Sequence, residues 1–313
     1  MDIDIKCSTM TACVAQNGEA FITVMNDAFA EQRVQHAIPL LLESGGWTPM
    51  ANDAVLPWLA AGVAQLAGEF YVVGWGGQVL AVHGRTSRRE AIVRDDGEPV
   101  SVIRAVAAVG DAVYAAGMLR QVYRRMSGTW AAIDSGVLYQ GSAIDVGFEA
   151  LGGFGGDELY AVGTNGAMWS RLEQSWLEIH SPTNVHLHSL CCAADGKVYA
   201  GGRKGLMVVG RGQGWSVELS GLDETIWDLH WFGGKLFMLT RIGVYTYEDG
   251  EPRLVMPQEE AGSEFVRLAS SSTELWAFAH KAIMKYDGTT WRRQPMSARE
   301  GIGDGPANSL LAE

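Results

Sequence analysis

The sequence predicts an all-β chain: a seven-bladed β-propeller of four-stranded antiparallel blades, with six blades as the alternative count. Three observations predict it. A unit of roughly forty residues recurs along the 313-residue chain. An aromatic residue stands at the same place in every copy. Most copies then reach a small turn followed by tryptophan. With 39 Gly and only 9 Pro among many Val, Tyr and Trp, the chain reads as many short strands joined by tight turns.

The first copy, Cys13-Val-Ala-Gln-Asn-Gly-Glu-Ala-Phe21, is irregular and carries an insertion at 26–61. Six regular copies follow: Val63 to Gly74, Val106 to Gly117, Phe154 to Gly163, Cys192 to Gly202, Trp231 to Thr240 and Ser271 to Ala279. Each holds an apolar strand, a turn and a strand with its aromatic anchor, at Tyr71, Tyr114, Tyr160, Tyr199, Phe237 and Trp276. The anchors lie 43, 46, 39, 38 and 39 residues apart, and Phe21 precedes Tyr71 by 50. Trp47, Trp130, Trp176, Trp215 and Trp291 follow turns that would open the outermost strand of five blades. The second and sixth copies lack this tryptophan, and Asp249-Gly-Glu-Pro252 marks the turn in the sixth. One blade cannot bury both its faces, whereas a closed stack can. The anchors are therefore expected between blades.

Residues 1–295 read as one propeller domain. The last copy supplies its own four strands through Pro295, residues 2–7 are placed to pair with a blade edge, and 296–313 is expected to be a flexible tail. Tyr160-Ala-Val-Gly-Thr-Asn-Gly-Ala-Met-Trp169 and Lys285-Tyr-Asp-Gly-Thr-Thr-Trp291 resemble repeats of bacterial propellers in the broad WD40/YVTN/BNR-like superfamily. The resemblance spans about residues 10–295. It implies the fold and says little about activity. The Gly-His and Trp-Asp pairing of each WD40 repeat is not carried here, and the YDGTTW segment lacks one residue of a sialidase Asp-box.

The formal charge is −12. Nucleic acid and anionic membranes demand a basic footprint, so neither is expected as the main partner. The N-terminus shows no basic, then apolar, secretory pattern, and no apolar run is long enough to span a bilayer. A cytoplasmic protein is expected. Cys7, Cys13, Cys191 and Cys192 show no CxxC spacing and read as reduced thiols. Walker, GxSxG, HExxH and EF-hand patterns are absent from the sequence, so no catalytic residue and no cofactor is assigned.

On one face of a propeller, the links between successive blades and the turns between second and third strands surround the channel mouth. Here the links are acidic, with Asp53, Asp95, Asp96, Glu98, Asp134, Asp145, Asp223, Glu224, Asp228, Glu259, Glu260 and Glu264. The turns are basic, with Arg120, Arg203, Lys204, Arg241 and Lys281. Trp58 and Trp75 add aromatic anchors of the kind that concentrate binding energy. Asp228 and Arg267 occupy equivalent places in adjacent inner strands and are expected to form an ion pair in the channel. His186 and His188 should face the same way as half of a metal site or, more simply, as polar packing.

These features point to a non-enzymatic, protein-binding propeller. The specific expectation is an immunity protein that neutralises a bacterial toxin, its loops occluding the toxin's active site or substrate path. A basic toxin domain would be drawn to the acidic links. Two other readings are a glycan-binding or glycoside-cleaving propeller of the sialidase kind, and an assembly scaffold.

Overall fold

The computed structural model describes residues 6–43, 46–50, 55–141 and 145–297. Seven four-stranded antiparallel sheets are arranged as blades around an axis, each made of four consecutive strands. The inner strands are Cys7–Val14, Ala60–Leu66, Ile103–Val109, Phe148–Gly155, Leu187–Cys192, Asp228–Phe232 and Phe265–Ser270. The count is thus seven, with the irregular first copy a complete blade. Its insertion forms a short helix, α1 (Asp27–Glu31), capped by the Asn26 side chain, between its second and third strands. A second short helix, α2 (Gln258–Ala261), links blades six and seven.

The core is divided among the blade interfaces, one apolar cluster to each. Strand periodicity explains how one strand serves two interfaces, because successive side chains point to opposite faces. In the second strand of blade two, Phe70 and Val72 pack toward blade one, whereas Tyr71 and Val73 pack toward blade three. In blade four, Leu159 and Ala161 face blade three while Val162 faces blade five. All seven anchors, Phe21 included, are buried.

The five outer-strand tryptophans reach back to the preceding blade. The Trp130 indole donates to Glu90 (3.2 Å) and Trp176 to the Ile133 carbonyl (2.7 Å). Trp215 meets Tyr160 edge-on, Trp291 packs on the cluster containing Phe237, and Trp47 packs on blade seven.

The ring closes without exchanging a strand. Cys7 opens the inner strand of blade one, so the expected edge pairing of residues 2–7 reduces to this ordinary ladder, and residues 2–5 lie outside the described residues. The Thr9 N–H donates to the His280 carbonyl (2.9 Å), and the Ser272 N–H donates to the Gln16 carbonyl (3.2 Å). The chain beyond 295 continues the closure. Met296 is buried, and the Ser297 carbonyl accepts from the Trp47 N–H at 3.2 Å. The remainder of the expected tail, 298–313, lies outside the described residues, as does Asp53.

Candidate functional site

The inner strands enclose a channel cavity of about 580 Å³, walled by small apolar residues such as Ala12, Val63 and Val106. The expected ion pair is present: Arg267 Nε lies 3.5 Å from Asp228 Oδ2, which also accepts the Leu268 N–H at 2.8 Å. His230 Nε2 meets Ser270 Oγ at 2.8 Å, and burial holds this imidazole's pKa below its ordinary value. Cys191 and Cys192 point apart, Cys191 into the interface with blade six and Cys192 toward Gly152 of blade four. All four thiols are free, and burial pushes Cys7 and Cys13 up to about 11 and Cys191 and Cys192 up to about 12. Such thiols are poor nucleophiles at neutral pH.

At the loop face the inner strands share a second feature. Six of them carry a one-residue bulge near their start, at Met10, Ala61, Arg104, Glu149, His188 and Val266. In blade six Trp227 fills the equivalent place, its N–H donating to Leu239 O at 2.8 Å. A bulge breaks the pleat and re-aims a side chain. Here it sets one residue per blade around the mouth. Where a blade carries the Tyr-x-x-Gly motif, the closing glycine makes room for the neighbouring inner strand. A Cβ on Gly117 would lie 2.0 Å from the Val102 carbonyl, and one on Gly163 would lie 2.0 Å from the Gly147 carbonyl. The inner strand therefore presses onto its neighbour where it bulges.

The rim has two unlike arcs. From blade three to blade six it is charged and aromatic. Arg104 Nε donates to Glu149 (2.9 Å), and His186 Nε2 lies 3.6 Å from the same carboxylate. The His186 and His188 rings stack at 4.3 Å, and His188 packs on Trp227 at 4.6 Å. The Arg241 guanidinium covers Trp227 at 5.1 Å and reaches Glu264 at 3.8 Å. The two histidines do share one face, as the alternation predicted. Burial, with the neighbouring His186, Arg203 and Arg104 charges, lowers His188 to about 4, and burial lowers His186 as well. His188 is therefore neutral at pH 7. Among the described residues no three His, Cys, Asp or Glu side chains are grouped to hold a metal ion.

The opposite arc is apolar. Met10 and Trp75 border a hollow of about 240 Å³ with Met25, Ala30, Val34 and Leu59, against the inserted helix. Trp75 is 40% exposed, and Val34 is exposed beside it.

The structure distributes the sequence-predicted residues unevenly. Trp75, Arg203, Lys204 and Arg241 lie on the loop face near the rim, and Asp95, Glu98, Asp145, Asp223, Glu259 and Glu260 are exposed in the links. Five candidates make contacts within the protein. Trp58 is half-buried over Gly74, where a Cβ would come within 2.7 Å of its ring. Asp96 pairs with Arg94 (2.6 Å), whose guanidinium is buried against Asp134. Lys281 donates to the Cys7 carbonyl (2.9 Å) and pairs with Asp27, tying blade seven to blade one. The backbone carbonyl of Glu224 accepts from the Gly205 N–H at 2.6 Å. Arg120 stacks on Trp169. Sequence reasoning did not assign Met10, Arg104, Glu149 or Trp227 to the rim, although the motif glycines Gly117 and Gly163 marked the bulges that put Arg104 and Glu149 there.

No family model matches the chain. Among solved structures it is similar to YCF48 bound to D1 peptide (TM-score 0.66, 17% identity, 91% of this chain and 94% of that one). It is also similar to the WD40 propeller domain of Doa1 (TM-score 0.65, 8% identity, 89% and 92%). At these identities the likeness shows the fold alone. A closer relation is to the Immune protein Tsi7 of Pseudomonas aeruginosa, 34% identical over 297 residues, 91% of this chain and 96% of that protein. Such likeness from end to end shows that the seven-bladed propeller described above belongs to the family of the immune protein Tsi7 and is an immunity protein.

Proposed function

We propose that this protein neutralises a bacterial toxin by occlusion, with the loop face laid over the toxin's active site or substrate path. The observation that supports the reading most is the channel rim, where the exposed indoles of Trp75 and Trp227 flank a mouth built by aligned bulges. Aromatic anchors set among polar neighbours are the usual carriers of binding energy between proteins. Inhibition of this kind needs no catalytic group and no cofactor. The exposed carboxylates Asp95, Glu98, Asp145, Asp223, Glu259 and Glu260 surround the same face, so a basic toxin domain would be steered to it, with a faster association at low salt. The site of action is the cytoplasm, where the toxin's target would otherwise be reached.

Co-expression with the product of the adjacent toxin gene tests this. The expected result is a stable complex on gel filtration and full protection of growth. Recovery of housekeeping proteins alone, with no protection against any neighbouring toxin, would overturn the reading.

A further inference from the structure

The turn between second and third strands has one design in blades three, four and five, and one blade departs from it in sequence. In blade four, Gly163 N donates to Ala167 O (3.0 Å) and Ala167 N to Thr164 O (3.0 Å). In blade three, Gly117 N donates to Gln121 O (3.1 Å) and Gln121 N to Met118 O (3.3 Å). The two central residues are left-handed in each: Asn165 and Gly166, Lys204 and Gly205, Leu119 and Arg120. The second left-handed residue is therefore glycine in blades four and five and arginine in blade three, at φ 56°. Blade two also has a left-handed glycine, Gly77, at this point. Only glycine takes this conformation freely, so Arg120 holds it at a cost that its sister turns avoid.

What the arginine gains is a position. In blades four and five the next interblade link passes over the turn, so that a Cβ on Gly166 would strike the Thr183 carbonyl at 2.1 Å and one on Gly205 the Leu222 carbonyl at 2.2 Å. At Arg120 a hollow of about 470 Å³ opens, bounded by Val146, the Thr164–Gly166 turn, Glu178 and His180. The guanidinium lies over the Trp169 indole at 5.2 Å, which fixes its plane. Its Nε is buried and has no hydrogen-bond partner, and no described carboxylate pairs with it. Arg94, Arg104, Arg241 and Lys281 on the same face are each matched to a carboxylate. Arg120 is thus a planar donor fork, held rigid and unspent at the wall of a hollow.

We infer that this hollow receives an acidic side chain of the toxin, with its carboxylate on the fork of Arg120. The inference rests on the loop face being the toxin-binding face. A stacked guanidinium matches the two oxygens of a carboxylate. Glu178 on the wall repels a dianion more than a single carboxylate, which favours a carboxylate over a phosphate. The partner then presents an acidic anchor within an otherwise basic contact surface.

Two experiments decide it. The full chain, labelled with ¹⁵N, is titrated with sodium acetate and, separately, with inorganic phosphate and chloride. Acetate is expected to shift the Arg120 Nε–H and Trp169 indole N–H signals saturably, and the Trp169 response is lost in Arg120→Gly. In the second, Arg120→Gly is expected to keep or raise Tm, because it relieves the left-handed residue, while weakening the complex with the adjacent toxin roughly 10- to 100-fold. Arg120→Lys, which keeps the charge and loses the fork, falls between. A preference for phosphate, an unchanged Trp169 response in Arg120→Gly, a lowered Tm or an undiminished toxin affinity would each overturn the inference. Failure of the wild-type chain to bind any neighbouring toxin would defeat the occlusion reading instead, and the acetate titration would still decide the chemistry of the hollow.

Discussion

Trp47 and Pro295, 248 residues apart, are joined where the propeller closes: the buried indole N–H of Trp47 donates to the Pro295 carbonyl at 3.2 Å. The backbone N–H of Trp47 also donates to Ser297 O at 3.2 Å, and Met296 between them is buried in the same cluster. A three-residue clasp laid over the outer strand of blade one thus adds to the Thr9–His280, Ser272–Gln16 and Lys281–Asp27 contacts of the closure, where no strand is shared between the chain ends.

Truncation after Gln294 removes this clasp. It uncovers Trp47 and deletes a buried methionine, an expected loss of about 2–4 kcal/mol. Truncation after Ser297 leaves every named contact in place and should cost far less. Urea unfolding of the two truncated chains beside the full chain checks the difference.

Arg94 predicts a second asymmetry. Its guanidinium is 2% exposed and pairs with Asp134, itself 6% exposed, and with Asp96, which is 48% exposed. Asp134→Ala removes the buried partner, leaves the buried guanidinium with Asp96 alone, and should destabilise by about 2–4 kcal/mol. Asp96→Ala loses an exposed, solvent-screened partner and should cost far less. Thermal unfolding of both variants orders them.

His188 makes stability depend on pH. Burial first, and then the nearby His186, Arg203 and Arg104 charges, lower its pKa to about 4 in the folded chain. Glu149, the one carboxylate of this cluster, bonds to Arg104 and lies beside His186. The unfolded chain binds a proton near pH 6.5. Stability from this group is thus full above pH 6.5 and is lost as pH falls toward 4, by at most roughly 3 kcal/mol. His188→Phe should flatten the difference between urea midpoints at pH 7 and pH 5. An unchanged slope would refute it.

The rim predicts which aromatic substitutions matter. Trp75→Ala should weaken the toxin complex about 10-fold or more while leaving Tm nearly unchanged, since its ring is 40% exposed. Trp58→Ala should do the reverse, because that ring packs over Gly74. Isothermal titration with the adjacent toxin, paired with melting curves, separates the two.

The sequence by itself determined the architecture. An apolar strand, an anchor such as Tyr160 and a turn before Trp176 recur because each blade must hide the same two faces, and the period of two along a strand writes that need locally. It also located the Asp228–Arg267 pair, since equivalent places in adjacent repeats become neighbours once the repeats stack. Only the tertiary structure decided which charges are available. Lys281 and Asp96 read as surface charges in the chain, yet their partners Asp27 and Arg94 reach them only when the ring closes or a link folds back. The rim was hidden for the same reason. A bulge changes the facing of one residue per strand, and whether that residue meets solvent, as Trp227 does, or a stacked neighbour, as His188 does, depends on blades far apart in sequence. Periodicity is a local property of a chain, whereas the spending of a charge is a property of its three-dimensional surroundings.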